Sequence, residues 1–154
     1  NYHRIHMPCK GTLIQTCYVP GTLYSVKPKT CQKINQLFAT NERYIMIFAT
    51  QQGLMAMIMV GALMVRGIET AWSAPKRIDC TQTPYQWYNH NQNFLQGDDI
   101  GCFHMGSSII LLHQHSLASL VPTNHSIQLH QHLALLPQQT TASLKKTMLD
   151  YVSE

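Results

Sequence analysis

The chain has 154 residues, of which 12% are charged and 45% apolar, and its formal net charge is +4. This length is sufficient for one domain with a buried core, and the apolar share excludes a disordered tail or a coiled coil. The basic residues are scattered, with Lys76-Arg77 and Lys145-Lys146 as adjacent pairs. The sequence therefore lacks the dense basic stripe that is typical of nucleic-acid-binding proteins. We therefore expect one domain over residues 1–154 that does not bind nucleic acid.

The first residue is Asn1, and no signal or transit sequence follows it, so we expect a piece of a longer protein. The cysteines are odd in number, widely spaced and without a CxxC pair, which favours free thiols in a reducing compartment on the cytoplasmic side. They are Cys9, Cys17, Cys31, Cys80 and Cys102. No metal ligand is assigned from this pattern.

The first half contains short runs of β-forming residues. Thr12–Val19 ends at the turn dipeptide Pro20-Gly21, and Tyr44–Thr50 is a second run of the same kind. Leu54–Val65 is twelve uncharged residues long, too short for a membrane-spanning helix of about 20 residues. It predicts buried strand with its methionines in the core, and a buried helix is the alternative.

The amino-acid composition changes at the start of the second half. Residues 74–101 are polar and aromatic, which predicts a long irregular connection. Strands are predicted at Ser108–Leu112, Ser116–Val121 and Ile127–Leu136, and a short helix at Thr141–Val152. The whole pattern predicts a mainly β fold, an antiparallel sandwich or partly open barrel with short helical pieces.

Two clusters carry chemistry, Tyr2-His3-Arg4-Ile5-His6-Met7-Pro8 near the start and Gly101-Cys102-Phe103-His104-Met105-Gly106-Ser107-Ser108 later. Each alone is a common kind of sequence, but together with the blocks between them they closely resemble the pyruvoyl-dependent phosphatidylserine decarboxylase family. Those blocks keep the family's order over residues 1–112. They are Tyr18-Val19-Pro20-Gly21-Thr22-Leu23-Tyr24-Ser25-Val26, Leu37-Phe38-Ala39-Thr40-Asn41-Glu42-Arg43, Val60-Gly61-Ala62 and Gly67-Ile68-Glu69-Thr70-Ala71-Trp72.

The resemblance implies that the chain cuts itself between Gly106 and Ser107. The Ser107 hydroxyl attacks the Gly106 carbonyl, the peptide becomes an ester, and elimination leaves a pyruvoyl group derived from Ser107 as the covalent cofactor. His6 is the implied base, since a serine hydroxyl is a poor nucleophile until a base takes its proton. His3 is implied to act beside the substrate, with the alternative that it only buttresses the motif. The pieces 1–106 and 107–154 would stay associated.

The implied reaction is that of a lyase. The amine of phosphatidylserine forms a Schiff base with the pyruvoyl group, carbon dioxide leaves, and phosphatidylethanolamine results. The implied partners are phosphatidylserine and a membrane surface, on the cytoplasmic side of a bacterial inner membrane. A homodimer is left open.

The sequence also departs from the family. No aspartate precedes His6, although the family's triad aspartate lies upstream of the histidine motif, and Met105 and Ser108 replace leucine and threonine. Two His-x-His pairs, His113-Gln114-His115 and His130-Gln131-His132, could each present two imidazoles on one strand face. The alternatives are therefore a truncated or degenerate non-catalytic relative and a histidine-rich metal-binding β-domain.

The mechanism implied by the resemblance also makes a spatial prediction. His6 must come within hydrogen-bond reach, roughly 3 Å, of the Ser107 hydroxyl in order to deprotonate it. Tyr2–Pro8 and Met105–Ser108 are therefore expected to lie together despite their separation in the sequence.

Overall fold

The computed structural model describes residues 2–63, 68–72, 84–104, 108–116, 119–122, 125–129 and 131–135. About half of these residues form antiparallel strands, and two single helical turns lie in the connection between the second and third strands. The strands are β1 (Arg4–His6), β2 (Gly11–Val19), β3 (Arg43–Thr50), β4 (Gly53–Val60), β5 (Ile68–Thr70), β6 (Trp87–Phe94), β7 (Asp99–Phe103), β8 (Ser108–His113), β9 (Ser119–Leu120) and β10 (Ala134–Leu135). The helices are α1 (Pro28–Cys31) and α2 (Leu37–Thr40).

The larger sheet has five strands in the order β6-β2-β3-β4-β8, and every neighbouring pair is antiparallel. Its centre is the β3–β4 hairpin, which closes at the pair Thr50 and Gly53 through Gln51-Gln52. Gly53 has a φ of 98°, a left-handed conformation that glycine adopts without strain. This glycine therefore allows the chain to reverse within two residues.

Side chains along β3 and β4 point alternately to the two faces of the sheet, and those on one face enter the core. Met46 and Phe48 of β3 are fully buried, as are Met55 and Met59 of β4, because residues two apart on a strand share a face. The prediction of buried strand for Leu54–Val65 is confirmed as far as Val60, and the helical alternative is wrong. The strand prediction is wrong for Gly61–Leu63, because the strand ends at Val60 and the Leu63 side chain is 69% exposed. Met64 and Val65 lie outside the described residues.

A smaller sheet with the order β1-β7-β5 covers the same core. Ile5, Ile68, Ile100 and Phe103 from its strands belong to one cluster of buried residues with the methionines of the larger sheet. The two sheets therefore form a sandwich, and the expected mainly β fold with short helical pieces is confirmed in that form.

The predicted long connection at residues 74–101 is wrong over part of its length, because Trp87–Phe94 is strand β6. This strand is rich in asparagine and glutamine, and only Phe94 in it is fully buried. It forms by pairing with β2 at the edge of the larger sheet. An edge strand with solvated side chains on both faces shows no hydrophobic alternation, so its pattern resembles that of a loop.

The remaining elements differ from prediction in length or place. The strands predicted at Ser116–Val121 and Ile127–Leu136 occur within the described residues as the two-residue strands β9 and β10, which pair with each other. The helix predicted at Thr141–Val152 lies outside the described residues. Among the residues that are described, no helix has both the length and the apolar character needed to cross a bilayer.

Candidate active site

The histidine motif is held against the strand that precedes the Gly106-Ser107 dipeptide. Strand β1 pairs antiparallel with β7, with Arg4 opposite Cys102. One residue before β1, the carbonyl oxygen of His3 accepts a 2.9 Å hydrogen bond from the backbone N–H of Phe103. Residues 105–107 lie outside the described residues, so the contact of His6 with Ser107 stays a prediction.

An irregularity in the β1–β7 ladder falls at His6. Ile5 lies opposite Gly101 but His6 lies opposite Asp99, so Ile100 is an extra residue on β7. Such bulges bend a strand and redirect the side chains beside it. On the other side of β7, a Cβ at Gly101 would lie 2.3 Å from the carbonyl oxygen of Glu69, so only glycine allows β5 to approach this closely.

Both ring nitrogens of His6 have hydrogen-bond partners. Nδ1 lies 2.8 Å from the carbonyl oxygen of Gly97, and Nε2 lies 2.5 Å from the hydroxyl of Tyr2, whose ring stacks on the imidazole. A carbonyl oxygen can only accept, so Nδ1 carries the proton, and in the neutral ring Nε2 accepts from Tyr2. The partners therefore select the tautomer that has its basic nitrogen at Nε2.

The side chain of His3 lies in a different environment from that of His6. Its side chain is partly buried, and its Nδ1 atom is buried without a hydrogen-bond partner among the described residues. Buried polar atoms in proteins are almost always hydrogen-bonded. This nitrogen therefore marks a place where one further polar group would fit.

Charged side chains surround β7 on both flanks. Arg4 Nε lies 2.6 Å from Asp99 Oδ2, and His104 Nε2 lies 2.7 Å from Glu69 Oε1. Burial, reinforced by the Glu69 carboxylate, raises the pKa of the Cys102 thiol. The sequence alone assigns no role to Glu69, although this residue belongs to the block Gly67-Ile68-Glu69-Thr70 that resembles the family.

The four histidines of the His-x-His pairs are only partly described. His113 ends β8, and burial lowers its pKa. His115 is exposed and lies near Gly53, where an added Cβ would be 3.2 Å from its Nε2. His132 is exposed, and His130 lies outside the described residues. The alternative of a metal site built from both pairs therefore stays an untested prediction.

The fold and the site define a class of protein: a β-sandwich in which a histidine motif pairs with the strand that leads to a glycine-serine dipeptide. The family model described as phosphatidylserine decarboxylase matches residues 1–134. The chain is 47% identical over 112 residues to the phosphatidylserine decarboxylase proenzyme of Psychrobacter arcticus and 44% identical over 119 residues to that of Coxiella burnetii. It therefore belongs to the phosphatidylserine decarboxylase family, and the resemblance inferred from the sequence is confirmed.

The aligned region covers most of this chain but less than half of each relative. The aligned part is 73% of this chain, but only 39% of the Psychrobacter arcticus protein and 40% of the Coxiella burnetii protein. A third relative, the phosphatidylserine decarboxylase proenzyme of Vibrio vulnificus, is 44% identical over 117 residues, which are 41% of its length. The chain thus spans about two fifths of the curated relatives that it matches.

Proposed function

We propose that this chain is the catalytic part of a self-processing phosphatidylserine decarboxylase. It cuts itself between Gly106 and Ser107, converts Ser107 into a pyruvoyl group and decarboxylates phosphatidylserine to phosphatidylethanolamine. The observation that carries the proposal is the pairing of β1 with β7, because it holds the histidine motif against the strand leading to the cleavage point. Family membership and the name proenzyme on the relatives support it.

In the cleavage step His6 is the base. The Gly97 carbonyl accepts the hydrogen bond of Nδ1–H, so Nε2 is the basic nitrogen. The Ser107 hydroxyl replaces Tyr2 as the hydrogen-bond donor to Nε2 and gives its proton to that nitrogen. The serine oxygen attacks the Gly106 carbonyl carbon, the peptide C–N bond breaks, and the Ser107 nitrogen becomes a free amine. Elimination then leaves a carboxylate on Gly106 and a dehydroalanine at residue 107, which takes up water and loses ammonia to become pyruvoyl.

Sheet pairing supports the continued association of the two pieces. Strand β8 lies after the cleavage point, and it pairs with β4 from Met55 opposite His113 to Val60 opposite Ser108. Cleavage before Ser107 breaks none of these pairings. The pieces 1–106 and 107–154 therefore stay joined by backbone hydrogen bonds.

In the decarboxylation step the residue that meets the substrate is His3. A pyruvoyl group at residue 107 would supply an electron sink, joined to the substrate through its amine, for the bond electrons released as carbon dioxide leaves. The Nδ1 atom of His3, which has no hydrogen-bond partner among the described residues, suits this role because it can hydrogen-bond a bound group or return the proton to the α-carbon. An imidazole suits this task since its ordinary pKa lies near the working pH.

The proposed substrate is a bilayer lipid, so we place the protein at a membrane surface, on the cytoplasmic side of a bacterial membrane. A net charge of +4 favours contact with anionic lipid. A second copy of the chain is left open as a partner.

The experiment is mass spectrometry of the purified chain beside two variants. The unaltered chain should yield residues 1–106 and a pyruvoyl-blocked piece that begins at residue 107, and it should release carbon dioxide from phosphatidylserine. Ser107→Ala should remain one chain without activity, whereas the matched control Ser116→Ala, an exposed serine, should cut normally. The same measurement is made on the protein extended by the residues that precede the histidine motif, where the family has its triad aspartate; an extended protein that stays uncut would favour the non-catalytic relative.

A further inference from the structure

Three side chains of metal-binding type meet on the small sheet. Glu69 of β5 lies directly opposite Cys102 of β7 in the strand pairing, and His104 follows the end of β7. One carboxylate oxygen, the Sγ atom and one imidazole nitrogen all lie within 4.8 Å of one another. Register places these residues together, since Glu69 is more than thirty positions from the other two in the sequence.

The distances are close to those of a metal site. His104 Nε2 lies 2.7 Å from Glu69 Oε1, and Cys102 Sγ lies 3.7 Å from Glu69 Oε2. Zinc bonds to sulfur are about 2.3 Å and those to nitrogen and oxygen about 2.0–2.1 Å, so tetrahedral ligands stand roughly 3.3–3.7 Å apart. Binding would require the exposed His104 ring to move back from Glu69, so that their ligand atoms separate from 2.7 Å to about 3.3 Å.

We propose that Glu69, Cys102 and His104 form a binding site for a thiophilic divalent cation of the zinc class. Thiolate, imidazole and carboxylate are the three ligand types that zinc uses in proteins. A bound cation takes the place of the thiol proton. In the metal-free chain the imidazole and the thiol both hydrogen-bond the Glu69 carboxylate, so all three side chains already converge on one point.

Among the described residues, the surface beside this cluster has room for a fourth ligand. A surface depression of about 250 Å³ borders Glu69 and Cys102 and is also lined by Arg4 and Asp99. The Arg4 guanidinium is a cation beside this depression, and its charge is balanced by Asp99 at 2.6 Å. The side chains of Glu69 and His104 are 35% and 43% exposed, so an ion can reach them from solvent.

The three ligands are different residues from His6, Gly106 and Ser107, to which the proposed self-cleavage is assigned. All three ligands precede residue 106, so they are on one piece whether or not the chain is cut. Loss of cleavage activity therefore says nothing about the metal site, and loss of metal binding says nothing about cleavage.

The test uses the purified chain after removal of metal with a chelator. Isothermal titration calorimetry with Zn²⁺ should show a single tight equivalent, and Co²⁺ should give the near-ultraviolet charge-transfer absorption of a cobalt–thiolate bond. Cys102→Ser should abolish that absorption, and both Cys102→Ser and His104→Gln should weaken Zn²⁺ binding by at least about tenfold.

Matched controls separate this site from the other thiols and histidines. Cys31→Ser removes another partly exposed free thiol, and His113→Gln together with His115→Gln removes a His-x-His pair; all should leave Zn²⁺ and Co²⁺ binding unchanged. The proposal fails if the chain shows no cobalt–thiolate absorption, or if the absorption survives Cys102→Ser. It also fails if Zn²⁺ binding is lost only with His113 or His115.

Discussion

The backbone N–H of Phe103 donates a 2.9 Å hydrogen bond to the carbonyl oxygen of His3, and this bond joins residues separated by about two thirds of the chain. It continues the ladder in which Ile5 lies opposite Gly101. The candidate active site therefore depends on one long-range strand pairing. Changes that spread β7 from its neighbours should affect stability and site geometry together.

Gly101 is where this dependence is most easily tested. A Cβ there would lie 2.3 Å from the Glu69 carbonyl oxygen, a backbone atom that cannot turn aside. We expect Gly101→Ala to lower the free energy of unfolding by about 2–4 kcal/mol, because β5 and β7 must separate. Urea denaturation followed by circular dichroism measures this change.

The control for that variant is Gly97→Ala. Gly97 has a φ of 88°, but a Cβ there would meet no atom within 4 Å. It should cost about 1 kcal/mol through backbone strain alone. Equal losses for the two variants would mean that close packing against Glu69 is not what requires glycine at 101.

Asn41 is a buried polar residue that holds three backbone groups. Its Nδ2 donates to the carbonyl oxygens of Tyr24 and Gly61 at 2.8 and 2.9 Å, and its Oδ1 accepts from the Tyr24 N–H at 3.0 Å. Asn41→Ala leaves these buried groups without partners, so we expect a loss of about 2–4 kcal/mol in unfolding free energy.

Two further variants make the Asn41 prediction specific. Asn41→Asp keeps the shape and the acceptor but cannot donate to the two carbonyls, so it should also destabilise the fold. Asn91→Ala, on the exposed face of β6, should change stability by less than about 0.5 kcal/mol. A tolerated Asn41→Asp in urea denaturation would contradict the assigned direction of these hydrogen bonds.

The central strands could be predicted from sequence because their residues favour β-structure locally and the fold places them in strands. Thr12–Val19 and Tyr44–Thr50 are rich in β-forming residues, and they occur as β2 and β3 with almost the predicted bounds. Strand β6 could not be predicted, since its asparagines and glutamines form a strand only by pairing with β2. Edge pairing of this kind is a tertiary effect with no local pattern.

The same distinction applies to the site. The histidine motif and the Gly106-Ser107 dipeptide could be named from sequence because they are contiguous blocks that resemble a family. The approach of Glu69 to Cys102 and His104 could not, because it depends on the β5–β7 register, which places Glu69 opposite Cys102. A shift of that register by one residue would turn Glu69 to the other face of the sheet.

His90 should make the stability of the fold sensitive to acid. Burial lowers the pKa of His90, which lies beside Trp72 and 2.8 Å from Thr16 Oγ1 through its Nε2 atom. The unfolded chain has the ordinary pKa of about 6.5 at this position and so takes up the proton first as the pH falls. The free energy of unfolding should therefore decrease as the pH falls below about 6.5.

Urea denaturation at about pH 7.5 and pH 5.5 measures this effect, because the two values lie on either side of the ordinary histidine pKa. His90→Gln retains a hydrogen-bonding partner for Thr16 but does not titrate, so it should lose less stability on acidification than the unaltered chain. Burial lowers the pKa of His113 in the same direction, so His113→Gln should act likewise and the double variant most. An unchanged acid sensitivity in both single variants would contradict the assignment.

The last prediction separates the two histidines of the proposed mechanism. His6 is fixed by Gly97 and Tyr2 with its basic nitrogen at Nε2, whereas His3 has a buried Nδ1 without a partner among the described residues. His6→Ala should therefore block self-cleavage, because Ser107 loses its base. His3→Ala should still be cut, but its turnover of phosphatidylserine should fall roughly 10²–10⁴-fold, as when a general acid is lost.

Gel mobility reports cleavage and released carbon dioxide reports turnover. A cut His6→Ala beside an uncut His3→Ala would mean that the two roles are reversed, and carbon dioxide release by Ser107→Ala would exclude the pyruvoyl mechanism.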